Sequence, residues 1–243
     1  MRTNEPLALL FGEDFVLNDR ISISSPTLKQ ICQCGEMNFL STVSTLCSTP
    51  ADFKVLLYDA FNVYWTNVSE FEWFAIVCKQ IDKKIVSLLF KDLDLSHTGL
   101  YQDSECCKVI CDSRTKQVLL TEPEYFELMK YLRKVYGLKK TEIREVSEKT
   151  RDYMIKRARR KAELHKNDKE QDSILEPMVS TLANAGVGYT YDTILNMRIN
   201  QFMDAVGRIQ KIKTYDNLMH GAYSGTLDIS KVNQNDLNYM GAL

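Results

Sequence analysis

The stretch from Cys107 to Gly137, CKVICDSRTKQVLLTEPEYFELMKYLRKVYG, changes its apolar period halfway along. Two short apolar runs, CKVICD and KQVLLTEP, lie either side of Asp112-Ser113-Arg114 and predict a β-hairpin. Thr121-Glu122-Pro123-Glu124 then predicts a helix start, and EYFELMKYLRKVY is closed by Gly137. An earlier apolar run, KKIVSLLF at 83–90, is grouped with the hairpin, giving an expected β element of two to four strands. The rest of the chain has few breakers, five prolines and ten glycines, which favours helix. The expected fold class is mainly α with a small central β element, α+β, with helical N-terminal and C-terminal parts.

Toward the N-terminus, DFVLNDRISISSPTLKQI opens with an expected strand pair, Phe15 to Leu17 and Ile21 to Ile23, around Asn18-Asp19. Ser25-Pro26 reads as N-cap and first helical position, leading into TLKQICQCG and, after Gly35, EMNFLSTVSTLCS. Thr49-Pro50 repeats that signal before ADFKVLLYDAF, where Phe53, Leu56, Leu57, Ala60 and Phe61 predict one apolar stripe. Ser69-Glu70-Phe71-Glu72 has the capping-box pattern and opens EFEWFAIVCKQI, which is apolar nearly all round and therefore expected to be buried.

Toward the C-terminus the chain becomes highly charged between Leu138 and Asp172. Ile143, Val146, Tyr153, Met154, Ala158 and Ala162 give only a thin apolar stripe there. This predicts an exposed helix and then a linker near HKNDKEQD. SILEPMVSTLANAG predicts a helix ended by Gly186, with Pro177 in its first turn or at a kink, and Gly188 to Asp192 a loop. TILNMRINQFMDAVGRIQKIKTYDNLM predicts a long helix or a pair, with Ile199, Phe202, Met203, Val206, Ile209 and Ile212 on one face. His220 before Gly221 reads as its C-terminal cap, where a cation complements the helix dipole. The resulting divisions are 1–137, an N-terminal helical domain with the inserted hairpin; 138–172, the charged helix and linker; and 173–243, a C-terminal helical unit with a wrapping tail.

That tail is unlike a disordered one, which is richer in charge and poorer in aromatics. Turn formers such as Ser224-Gly225 and Asn235-Asp236 alternate with the apolar anchors Tyr223, Leu227, Ile229, Val232, Leu237, Tyr239 and Met240. The segment is expected to be ordered, wrapping over its own C-terminal helix and core or over a neighbouring subunit.

The chemistry of the remaining residues excludes more than it assigns. The 243 residues are 44% hydrophobic and 26% charged, a folded composition, and the net charge of −1 gives no global attraction to nucleic acid or anionic membrane. No run approaches the roughly 18 apolar residues of a membrane helix, and Met1 to Pro6 lacks the pattern of a secretory signal. The cysteine count of seven is odd and the spacings, Cys32-Gln-Cys34 and ECCKVICD, do not match zinc ligation. Reduced, mostly buried thiols are expected, with no metal and no cofactor. The three histidines, His97 in the expected turn LSHTG, His165 and His220, lie near no nucleophile elbow, zinc-binding pair or phosphate loop. No catalytic residue is assigned.

The run IKRARRKAELHK, Ile155 to Lys166, is the sharpest local charge feature. Lys156, Arg157, Arg159, Arg160 and Lys161 could neutralise phosphates. The run lacks the interleaved aromatics of a single-strand platform, and Glu142, Glu145, Glu148 and Asp152 lie upstream on the same expected helix. A solvated helix with both signs, or a surface for an acidic partner protein, is the better reading. The candidate partner-binding residues are therefore Lys156, Arg157, Arg159, Arg160 and Lys161, with Tyr223, Leu227, Ile229, Leu237, Tyr239 and Met240 of the tail.

Two segments carry a family resemblance. SPTLKQICQCGEMNFLSTVSTLCSTPADFKVLLYDAFNVYWTNVSEFEWF and YTYDTILNMRINQFMDAVGRIQKIKTYDNLMHGAYSGTLDISKVNQNDLNYMG cover both ends of the chain. They resemble tail-assembly chaperones and baseplate-hub assembly proteins of tailed phages and prophages of Gram-positive hosts. The resemblance implies a non-catalytic structural or assembly protein, acting in the host cytoplasm or in the virion tail, that binds other tail or baseplate proteins and self-associates. It carries over no functional residue. Two other classes compete: a helical nucleic-acid-binding protein using the basic run 156–161, and an enzyme whose site the sequence hides.

Overall fold

The computed structural model describes residues 5–91, 93–142, 147–164, 166 and 173–241. The fold is mainly α with a small β element. The chain opens with a short helix, α1 (Pro6–Leu10), and a two-stranded ribbon, β1 (Phe15–Val16) with β2 (Ser22–Ile23), in the register Phe15↔Ile23. The helix expected at Ser25-Pro26 starts two residues later. Thr27 is the N-cap of α2 (Leu28–Cys34), its hydroxyl taking the Gln30 N–H while Gln30 Oε1 takes the Thr27 N–H at 2.8 Å. Ser25 is instead buried and donates to Asn200 Oδ1 at 2.7 Å.

Next come α3 (Glu36–Leu46), a 3-10 turn at Pro50–Phe53 and α4 (Lys54–Phe61). The stripe expected on α4 does not form. Of its members within the helix only Leu57 is buried, and Leu56, Ala60 and Phe61 are exposed. The helix is two turns long and packs by one edge, so helical spacing did not specify which side is covered. By contrast α5 (Glu70–Val77) is buried as expected, through Phe71, Trp73, Phe74, Ala75 and Val77. It has the Ser69/Glu72 capping box, and Trp73 Nε1 donates to Ser48 Oγ at 2.9 Å.

The run KKIVSLLF is a helix, α6 (Lys83–Phe90), and not part of the β element. Ile85, Val86, Leu89 and Phe90 are its buried residues, at the spacing i, i+1, i+4, i+5 of a helix face, and Asp82 caps it by accepting the Lys84 N–H at 2.9 Å. The sheet takes its first strand from a segment that looked like a turn, β3 (Thr98–Gln102). Gly99 disfavours a strand, but the Tyr101 ring lies against it, where a Cβ would approach to 2.6 Å. β4 (Lys108–Asp112) and β5 (Val118–Thr121) form the expected hairpin, so the sheet is antiparallel in the order β3-β4-β5, with a bulge at Ile110/Cys111.

α7 (Glu122–Val135) follows β5 directly, with Thr121 and Glu124 forming its capping box. Its Tyr125 is fully buried, with ring centroids 5.5 Å from Phe71 and 5.1 Å from Phe74. This aromatic contact joins α5 to α7 within the core. Each large side chain fully buried there stabilises the fold by roughly 1.5–3 kcal/mol.

The charged helix is α8 (Glu148–Leu164), and Ile155 is its buried residue. The expected stripe is misplaced: Tyr153 and Met154 are exposed, while Ile143 and Val146 lie outside the described residues. The linker expected near HKNDKEQD also lies outside them, apart from Lys166. α9 (Leu175–Asn184) and α10 (Tyr191–Asn196) come next. Part of the loop expected at Gly188 to Asp192 is the start of α10, because Thr190 forms a capping box with Thr193. The chain then breaks at Met197-Arg198 before α11 (Ile199–Tyr223), so the expected pair is a short helix and a 25-residue one.

Both ends of the chain meet in a polar seam. Leu28 N donates to Met197 O at 3.0 Å and Ile199 N to Pro26 O at 2.9 Å, an isolated antiparallel bridge between Thr27 and Arg198. The Glu36 carboxylate accepts the backbone N–H groups of Ile174 and Leu175, both at 2.7 Å, and the Ser173 hydroxyl at 2.6 Å. The N-terminus of α9 is thus capped by a side chain 138 residues away. Leu28, Ile31, Ile194, Ile199 and Phe202 belong to the same contiguous core as Phe71 and Tyr125.

Candidate interaction surfaces

α11 is two different structures along its length. Ile199, Phe202, Val206 and Ile209 are buried against the body. Beyond Ile209 no described residue is buried. The helix runs on past His220 and ends at Tyr223, with Gly225 at φ +72° as the turning residue. Thr226 N donates to Gly221 O and Gly225 N to Ala222 O, both at 3.0 Å, which is the Schellman arrangement. The cap expected at Gly221 is therefore corrected to Gly225. Gly221 serves another purpose: Leu227 folds back over it, where a Cβ would sit 3.1 Å from the Leu227 Cβ.

The tail then returns along α11. It makes a 3-10 turn at Ile229–Lys231 and a single turn of helix, α12 (Gln234–Leu237). The Tyr239 ring meets Tyr215 with centroids 5.0 Å apart, and Arg208 donates to the carbonyls of Tyr239 at 2.5 Å and Gly241 at 3.0 Å. The tail thus covers its own helix and not the core of the body. The candidate anchors divide. Leu227 and Leu237 are half-buried on α11, Ile229 and Tyr239 are 37% and 39% exposed, and Tyr223 and Met240 stand out at 82% and 77%. Arg208, Lys211 and Tyr215, which hold the tail, were not among the expected binding residues; the tyrosine pair is 24 residues apart and no local pattern links its members.

The second surface is α8. Asp152 accepts the Tyr64 hydroxyl at 2.7 Å, and this hydrogen bond holds the Tyr64 phenol well above its usual pKa. The Arg151 guanidinium lies over the Tyr64 ring, 4.3 Å from its centroid, and donates to Thr66 at 3.0 Å. Arg159 pairs with Asp59 of α4 and so belongs to the packed side. Lys156, Arg157, Arg160 and Lys161 are exposed and pair with no described residue. Four of the five expected basic residues are available to a partner, and Arg159 is not.

Among the described residues no three His, Cys, Asp or Glu side chains lie together as a metal-ligand group. His97 sits in the turn before β3, His220 within the last turn of α11, and His165 outside the described residues. The expectation of mostly buried thiols is only partly met: Cys47, Cys78 and Cys111 are buried, Cys34 is half-buried, and Cys32, Cys106 and Cys107 are exposed. Burial pushes the Cys47 thiol up to about 12, and raises Cys78 and Cys111 too. The exposed pair lies in the β3–β4 turn, where solvent and not the core surrounds a hairpin tip. Among the described residues no helix is long and apolar enough to cross a membrane.

Residues 166–241, spanning α9 to the returning tail, match the family model described as the YomV second domain. YomV is a protein of a Bacillus prophage region. The match covers the C-terminal third of the chain and contains the whole α11 arm, giving that unit a phage-associated likeness. No curated protein and no solved structure matches the chain.

Proposed function

We propose that the protein is a non-catalytic component of a phage tail or baseplate, either built into the particle or acting during its assembly, that works by binding other tail proteins through its C-terminal arm. The observation that carries this reading is the arm itself. It has a defined path, closed by a Schellman turn and held by Arg208, yet leaves Tyr223 and Met240 largely uncovered and Ile229 and Tyr239 partly so. Fully burying side chains of this size on a partner would contribute roughly 1.5–3 kcal/mol each. The likeness of the same unit to the second domain of a prophage-region protein supports a phage setting. The resemblance of both ends to tail-assembly and baseplate-hub assembly proteins supports the finer role.

The test is mass spectrometry of purified phage particles beside the infected-cell lysate. Stoichiometric protein in the particle identifies a structural part. Protein in the lysate, absent from the particle and co-purifying with a tail protein, identifies an assembly factor. The reading fails if neither fraction holds a tail-protein complex, or if a chain ending at Leu227 still forms that complex unchanged.

A further inference from the structure

The outward face of α8 is more specific than its composition. At 3.6 residues per turn, Tyr153, Arg157, Arg160 and Leu164 fall within about 60° of one another, opposite the buried Ile155. With Thr150 they are spaced three, four, three and four residues apart, the seam spacing of a helix that packs along a second helix. Tyr153 is 63% and Leu164 71% exposed. Lys149, Lys156 and Lys161 flank the seam and are exposed.

The acids that dilute this helix in sequence do not dilute this face. Asp152 is turned to Tyr64, and Glu148 falls within about 20° of Ile155, on the side away from the seam. Glu163 lies about a quarter turn off the seam. The one inward arginine of the run, Arg159, is neutralised by Asp59. Between Glu148 and Leu164 there are seven basic and three acidic residues, a net +4 in a chain of net −1. What remains outward is a row with an aromatic residue at one end, an aliphatic at the other, and two arginines between.

We propose that this face docks an acidic helix of a partner protein, one that presents carboxylates to Arg157 and Arg160 between apolar residues that cover Tyr153 and Leu164. The seam from Tyr153 to Leu164 is about 16 Å long, three turns of such a helix. Arginine and tyrosine are the side chains that most often carry interface energy, and bidentate arginine–carboxylate pairs fix register as well as attraction. A nucleic-acid backbone would use the cations but would leave Leu164 without a role, which is why the protein partner is favoured. The inference rests on the reading of the protein as a binding component but uses a surface separate from the arm.

The test uses the full chain and three fluorescent probes. One is a helical peptide with leucines and glutamates in the matching seam order, the second is its scrambled isomer, and the third is a short DNA duplex. The ordered peptide is expected to bind at least about tenfold more tightly than the other two. Arg157→Glu with Arg160→Glu should weaken it by about tenfold or more, and Tyr153→Ala with Leu164→Ala by a similar factor, with circular dichroism unchanged. Equal binding of the scrambled peptide reduces the face to a patch of charge and overturns the proposal. Tighter binding of DNA, insensitive to Tyr153 and Leu164, overturns it in favour of a nucleic-acid surface. Absence of binding below about 100 µM overturns it outright. These variants leave the arm intact, so an arm that still binds tail protein when the seam fails keeps the proposed function standing.

Discussion

From Leu17 to Leu132 and again from Leu175 to Ile209 the chain buries aromatic and aliphatic residues; from Gln210 to Gly241 it buries none, although that segment is as rich in tyrosine, leucine and methionine. In the body, each apolar residue meets others from distant segments: Tyr125 touches Phe71 and Phe74, and Phe202 shares a core with Leu28 and Ile31. In the arm, an apolar residue meets only one neighbouring strand of chain, so half of it stays wet. The same residue types therefore act as core in one region and as unspent contact surface in the other. Depth of layers decides between these outcomes, because a single helix and its return cannot enclose a side chain on all sides.

The comparison breaks most readily in the body. Phe202→Ala removes a fully buried ring from α11, the helix that packs on α7 and α9, and is expected to destabilise by about 3–5 kcal/mol in urea unfolding. A loss below about 1 kcal/mol would mean that the C-terminal unit does not share the core of the body. Next in size is Glu36→Gln, which weakens the long-range cap of α9 by removing the charge from three hydrogen bonds. It should lower stability by about 1–3 kcal/mol, with faster hydrogen exchange concentrated in α9.

Smaller again is the Ser69 cap of α5. Ser69→Ala should cost about 1 kcal/mol. Its partner Glu72 adds a pH dependence. The hydrogen bond from Lys108 at 2.8 Å, with the Ser69 N–H, holds the Glu72 carboxyl below its usual range. A depressed carboxyl stabilises the fold above the unfolded value, about 4.3, and that contribution is lost as pH falls through the lower folded value. Glu72→Gln should flatten the stability profile in that acid window and leave its shape above about pH 6 unchanged. A profile of unchanged slope would remove the pair from the account.

The smallest expected effect on stability sharpens the comparison from the arm side. A chain ending at Leu227 keeps the Schellman turn and loses α12 and Tyr239. Its melting temperature should shift by less than about 2 °C, while binding to tail protein is lost. A large drop in melting temperature would show that the tail is a lid on the core after all.

Legibility from sequence followed locality. The capping box at Ser69 and the helix start at Thr121 stand where the spacing put them, since a cap is a contact across three residues. The hairpin of β4 and β5 was legible for the same reason, as two runs joined by one turn. KKIVSLLF was misassigned because a short apolar run supports both periods until something covers one side. Thr98 to Gln102 was missed because a glycine and a turn-like lead conceal a strand that only Tyr101 and its neighbour β4 make favourable. At the surfaces, composition found the basic run and the tail anchors but not their orientation. It took the position of Ile155 to turn Arg159 inward and Tyr153 outward, and the angle between them follows from the helix only once one face is fixed.

What the sequence determined alone is the set of contacts made within a few residues: the helix starts at Ser69 and Thr121, the hairpin, the buried character of α5 and the charge of α8. What the tertiary structure decided is every pairing across long separations. The capping of α9 by Glu36, the bridge of Thr27 to Arg198, and the return of Tyr239 to Tyr215 are such pairings. The physical reason is that a local contact costs little loop entropy and is favoured by the chain itself, whereas a distant one closes a long loop and forms only when many others form with it.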